Sequence, residues 1–229
     1  MRRTTCVLFL TIAIHCEMTA WAQNGSQQFV TPPPMIETTV QQVSPFVGGS
    51  GAFAQSTISQ GKGIIVIVPK SGKRVWAFSV TTGKWSSVDL EEGDISEVSA
   101  AVGNGNAGFR VRRWLYGFGE KAGRWDKIQI SNEQILLNPG EFGPQPAMGN
   151  YSMAAQHKNV GFAFSGEHGK WDRVALPAGQ VAQVAVGNYF ATLTDGQTYY
   201  YAFSDTSQEW GGVDLITGEQ LPVNRELPQ

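Results

Sequence analysis

Cysteine is nearly absent: the 229-residue chain holds two, Cys6 and Cys16, and both lie in its first sixteen residues. A disulfide-stapled miniprotein is therefore excluded. Charge is also sparse, at 16% against the usual quarter, and the formal net charge is only −2. That excludes a charged disordered tail and a nucleic-acid binder working by bulk electrostatics. No stretch keeps a helical period over several turns, and no apolar run reaches the roughly 20 residues of a membrane-spanning helix. Of three histidines, His157 and His168 lie beyond the N-terminal region, eleven apart, with no His at i+2 or i+4 and no cysteine after Cys16, so no metal site and no cofactor are expected. Glycine is plentiful instead, 27 residues, and aromatics make up 11%.

The N-terminus reads as an export signal. Arg2 and Arg3 precede an apolar run at 6–14, and Ala20-Trp21-Ala22 supplies small residues before Gln23. Residues 1–22 are expected to be removed, which leaves a secreted or periplasmic chain without thiols and without stable membrane insertion. Residues 23–43 are polar and carry three prolines at 32–34, which impose extended geometry, so the segment reads as a linker or arm.

The strongest signal is internal repetition across 44–219. Phenylalanine precedes tryptophan by seven positions four times: Phe78/Trp85, Phe118/Trp125, Phe164/Trp171 and Phe203/Trp210. A further aromatic stands two before each Phe, with a small residue between: Trp76-Ala77, Tyr116-Gly117, Phe162-Ala163, Tyr201-Ala202. In a strand, aromatic–small–aromatic puts both rings on one face and the small residue on the other. Gly83, Gly123 and Gly169 lie two before the Trp, where a tight hairpin needs positive φ; Gln208 in the fourth copy predicts a different hairpin type. Gly103-Asn104, Gly149-Asn150 and Gly187-Asn188 recur upstream, with Gly63 assigned to the same place in the first unit. Each unit thus holds about four short strands.

A lone four-stranded meander cannot bury both faces, whereas copies arranged around an axis can. The expected fold is all-β: a small β-propeller with four blades of about four antiparallel strands each. The Phe-x6-Trp spacing resembles the kelch-type blade, although Gly-Asn stands where that family has a double glycine. Three arrangements remain open: four blades closed within one chain, half of a larger ring completed by a second copy, and an open sandwich. Residues 46–60 are a candidate closing strand, and 220–229 form a C-terminal tail.

Chemistry is thin. Gly103-Asn104-Gly105-Asn106-Ala107-Gly108 has the letters of a dinucleotide loop but reads as a repeat turn, because no helix follows. Gly48-Gly49-Ser50-Gly51-Ala52 lacks the final glycine of a nucleophile elbow. Glu120, Glu141, Glu167 and Asp195, each particular to its unit, are the candidates for a hydrolase or lyase using paired carboxylates. The largest departure from the repeat is Arg110, Arg112, Arg113 and Trp114, between the second and third strands of the second unit; His157 and Lys158 hold the corresponding place in the third. Guanidinium groups beside an indole suit an anionic or sugar ligand. Against this, acidic residues Asp89, Glu91, Glu92, Asp94 and Glu97 emerge on the same rim, where mutual neutralisation explains both sets. Three functions follow: a non-catalytic binding or scaffold module for a protein or carbohydrate, including an anionic glycan; a polysaccharide-acting enzyme; and a structural self-associating domain. On this reading, reversing Arg112 and Arg113 to Glu weakens anionic-glycan binding without lowering the melting temperature, and Trp125→Ala removes a blade-core residue.

Overall fold

A computed structural model describes residues 56–135 and 143–227. The signal and linker readings at 1–43 lie outside them, as does Glu141. Four antiparallel meanders follow one another along the chain. The first sheet is β1 (Thr57–Gln60), β2 (Ile64–Val68), β3 (Arg74–Ser79) and β4 (Lys84–Asp89); the second is β5 (Ala101–Val102), β6 (Asn106–Val111), β7 (Trp114–Gly119) and β8 (Arg124–Gln129). The third is β9 (Ala147–Met148), β10 (Ser152–His157), β11 (Val160–Ser165) and β12 (Lys170–Ala175). The fourth is β13 (Gln183–Val186), β14 (Phe190–Thr194), β15 (Tyr199–Ser204), β16 (Glu209–Asp214) and β17 (Gln220–Leu221). Among the described residues the fold is all-β and built of four propeller blades, with one 3-10 turn at Ile95–Glu97 in the first inter-blade connection.

The Phe and Trp of each repeat are direct cross-strand partners, as at Phe164↔Trp171. Their rings meet at 5.1–5.4 Å between centroids in all four blades, tilted by 50–54°. The hairpin joining them has φ of +67° at Gly83, +61° at Gly123 and +60° at Gly169. Gln208 also has φ +60°, and its N–H donates to Ser204 O at 2.8 Å, as Gly169 N–H donates to Ser165 O at 2.8 Å. The fourth hairpin is thus the same type as the others, with a non-glycine residue held in the left-handed region. A second correction concerns the upstream turn. Gly61 N–H donates to Ile64 O as Gly103 N–H does to Asn106 O, so Gly61 and Lys62, not Gly63, correspond to Gly103 and Asn104. The cause is a longer β2–β3 connection in the first blade, which shifts the count back from Trp85.

The aromatic–small alternation sorts the faces as expected. Three apolar cores lie between successive blades: one between the first and second, around Ala77, Phe109, Tyr116 and Phe118; one between the second and third, around Leu115, Met153, Phe162, Phe164 and Trp171; and one between the third and fourth, around Ala163, Leu193, Tyr201, Phe203 and Trp210. Gly117 shows why the small position is small: a Cβ there would lie 2.6 Å from the Phe164 ring and 2.8 Å from Trp171 Nε1.

Sustained inter-blade contact among the described residues runs from first to second, second to third and third to fourth blade, and no such contact joins the fourth to the first. The described blades therefore form an open row, not a closed circle. Of the candidate closing segment 46–60, residues 46–55 lie outside the described residues, and β1 pairs with β2 within its own blade. The end faces show the consequence: Trp85 is 49% exposed, whereas Trp171 and Trp210 are 4% and 5% exposed. Trp125, expected in a blade core, is only partly buried, with Nε1 donating to Ser86 O at 3.3 Å. The tail is not loose: β17 pairs with β16, Asn224 O accepts from Ala175 N–H at 2.8 Å, and Arg225 chelates Asp172 at 2.9 and 3.0 Å.

Candidate functional site

In a four-stranded meander, the turn between strands two and three shares a rim with the connection to the next blade. The basic hairpins and the acidic connection are thus brought together by topology. Arg112 and Lys158 occupy the first position of two-residue hairpins, with φ of +50° and +53°. Arg112 grips Glu97 through both nitrogens, at 2.9 and 3.0 Å. Arg113 bonds Glu92 at 2.5 Å and donates to Asn132 O at 3.0 Å. Lys127 meets Glu91, Arg74 meets Asp89 at 2.7 Å, and Lys158 lies 3.6 Å from Glu133. Asp94 caps the 3-10 turn, accepting from Ser96 N–H at 2.8 Å. Reversing Arg112 and Arg113 to Glu would set carboxylate against carboxylate, so a lowered melting temperature is expected, contrary to the sequence reading; a thermal scan of the double variant checks this.

Arg110 differs from its neighbours. Paired with Leu115 on β7, it faces the third blade and is 6% exposed. Its partners are carbonyls, Arg112 O at 2.7 Å and Pro144 O at 3.5 Å, while its own N–H donates to Gln145 Oε1 at 2.9 Å. Burial lowers its pKa. His157, in register with Val160, belongs to the third-blade face turned toward Arg110. Its Nε2 is buried without a hydrogen-bond partner. Burial, then the charges of Arg110 and Lys158, push its pKa down, against a smaller upward pull from Glu133. Trp114 instead packs against the core between the first and second blades. The predicted residues therefore divide three ways: Arg110 and His157 belong to the two facing sides of one blade boundary, Trp114 faces another, and Arg112, Arg113 and Lys158 lie beside carboxylates.

The carboxylate candidates are also dispersed. Glu120 accepts from Thr81 Oγ1 at 2.7 Å, and Glu167 pairs with Lys121 at 3.0 Å. Asp195, on the opposite rim, accepts the N–H groups of Gln197, Thr198 and Tyr199 at 2.8–2.9 Å. His168, bonded to Thr206 O at 2.8 Å, lies on the rim opposite His157.

Two further surfaces lie outside the residues singled out from sequence. Tyr151 and Tyr189 stack at 4.8 Å, 9° from parallel, above an amide ladder in which Asn104 donates to Asn150 and Asn150 to Asn188, each at 2.9 Å. The signal for it was in the sequence, since both tyrosines follow a Gly-Asn pair. The other surface is on the fourth blade, where Tyr200, Ala202, Gly211 and Val213 of its outer face, with the edge residues Trp210 and Leu221, border a cleft of about 560 Å³.

No protein family and no curated protein matches the chain by sequence. Among solved structures, the chain is similar to BamB from Moraxella catarrhalis, at 13% identity over 76% of this chain and 74% of that one, with a TM-score of 0.26. It is also similar to KlHsv2 with loop 6CD replaced by a Gly-Ser linker, at 8% identity over 73% of this chain and 58% of that one, with a TM-score of 0.32.

Proposed function

We propose that the chain is a non-catalytic binding or scaffold module, exported on the strength of its 1–22 signal, with blades distantly kelch-like in their Phe-x6-Trp hairpins. One observation carries the reading: the rim's charged side chains are largely spent on one another, while the outer faces of the end blades expose the surface that elsewhere forms blade-to-blade core. A rigid frame with unmatched sheet faces suits macromolecular contact better than bond cleavage. The partner class is a protein or a carbohydrate.

The test is an incubation of the purified protein with neutral, sulfated and uronic-acid polysaccharides, read for new reducing or unsaturated ends. No turnover is expected, and turnover lost on changing Glu120, Glu167 or Asp195 would overturn the proposal in favour of a hydrolase or lyase. Arg110, buried against carbonyls and facing His157, favours a second reading in which this boundary holds an anionic glycan. In that case a sulfated polysaccharide binds the parent, and Arg110→Gln abolishes the binding.

A further inference from the structure

We propose that a second copy of this chain docks head to tail on the first, the aromatic face of one copy's first blade seating on the small-residue face of the other's fourth. This rests on the scaffold-module reading and names its partner.

The chain displays the same joint three times. The second blade presents Phe118 and Trp125 to the row Val66–Ala77–Ser86. The third presents Phe164 and Trp171 to Gly108–Gly117–Asp126, and Trp171 N–H donates to Asp126 Oδ2 at 2.8 Å. The fourth presents Phe203 and Trp210 to the third blade, around Ala154 and Ala163. Each joint has a projecting aromatic pair on one side and a row of small residues on the other.

The two outermost faces are the two halves of this joint, each without its counterpart among the described residues. On the first blade, Phe78 and Trp85 hold the geometry of the buried pairs, with centroids 5.2 Å apart at 50°. Around them runs the apolar row Ile58–Ile67–Trp76, with Ile58 45% and Trp76 38% exposed. On the fourth blade the row is Ala185–Thr192–Ala202–Gly211, and a Cβ built on Gly211 meets nothing within 4 Å. A cleft of about 560 Å³ borders the Ala202–Gly211 end of this row.

A backbone contact repeats with it. Ser79 Oγ donates to Glu120 O at 2.7 Å, and Ser165 Oγ to Asp205 O at 2.9 Å, each reaching the following blade. Ser204 holds this donor position on the fourth blade. Val80, 58% exposed, carries the matching carbonyl on the first, since its N–H donates to Gly63 O as those of Glu120 and Asp205 do to Gly105 O and Tyr189 O. The amide ladder does not continue: Lys62 stands where Asn104, Asn150 and Asn188 stand in the other blades. The joint between copies therefore lacks one link that the second-to-third and third-to-fourth joints have, and its association is reversible. Because knob and cradle lie on opposite ends, the contact is heterologous, giving a ring if its rotation closes and a filament if it does not.

The test is sedimentation velocity on the full chain across a concentration series, with Trp85→Glu and Ala202→Glu as variants on the two faces. The parent is expected to sediment as two or more chains and to dissociate on dilution. Each variant alone, folded by far-UV circular dichroism, is expected to sediment as one chain. An equimolar mixture is expected to form a two-chain species, because each variant retains the half that the other has lost. A parent of one-chain mass at every concentration, association that survives both substitutions, or a mixture that stays monomeric would overturn the proposal. A monomeric parent would leave the module reading intact, since that reading fails on polysaccharide turnover.

Discussion

At the scale of single residues, two positions hold conformations or charges that their surroundings oppose. Gln208 occupies a left-handed corner that glycine fills in the three sister hairpins, and a side chain there costs about 1–2 kcal/mol. Gln208→Gly is expected to stabilise the protein by about 1 kcal/mol, raising the melting temperature by roughly 2–4 °C. Asp205 is 1% exposed, and burial raises its carboxyl pKa, against weaker opposing bonds from Ser165, Glu167 and Gly166. Below the ordinary carboxylate range both states are protonated and the group is neutral toward stability. As pH rises, the unfolded chain ionises first, so native stability is progressively lost until the folded carboxyl ionises too. Asp205→Asn is therefore expected to raise the melting temperature at pH 7 and to give a smaller gain near pH 3. An equal gain at both values would show that burial of charge is not the cause.

At the scale of the element, each blade is a hairpin pair whose Phe and Trp are cross-strand neighbours, and the blade's place in the row sets what that pair is worth. Trp171 is enclosed between two blades, so Trp171→Ala is expected to cost about 3–5 kcal/mol. Trp85 is 49% exposed and packs on Phe78 at the open end of the row, so Trp85→Ala is expected to cost about 1 kcal/mol in dilute solution. Denaturant titration of both variants separates the two. Strand pairing, hairpin positions and the division of faces were legible because period-two alternation and fixed turn spacing are local. The fourth hairpin was misread because residue preference at positive φ is a preference: the surrounding ladder holds Gln208 in the same turn. The first unit was misaligned by two residues because a longer loop is invisible to counting back from Trp85.

At the scale of the molecule, the repeat number was readable and the closure was not. Four copies of a blade signature say how many wedges there are, but the angle between wedges depends on how deeply each aromatic pair seats on its row, a matter of packing across blades. The basic residues and Trp114 are not gathered on one face, for a related reason. Arg110 and Trp114 are four residues apart in sequence, yet a two-residue hairpin places them on opposite faces of one sheet. The acidic connection shares the hairpin's rim by topology, and Glu97 and Glu92 pair there with Arg112 and Arg113.

The open row is tested most directly by distance. Spin labels at Lys84 and Glu209, in a chain with Cys6 and Cys16 replaced by Ser and diluted into unlabelled protein, report the separation of the first and fourth blades. A second pair at Lys84 and Arg124 reports the spacing of adjacent blades, whose outer strands are in contact. In an open row the separation between Lys84 and Glu209 is clearly longer than that between Lys84 and Arg124. Equal separations would mean that the four blades close on themselves within one chain.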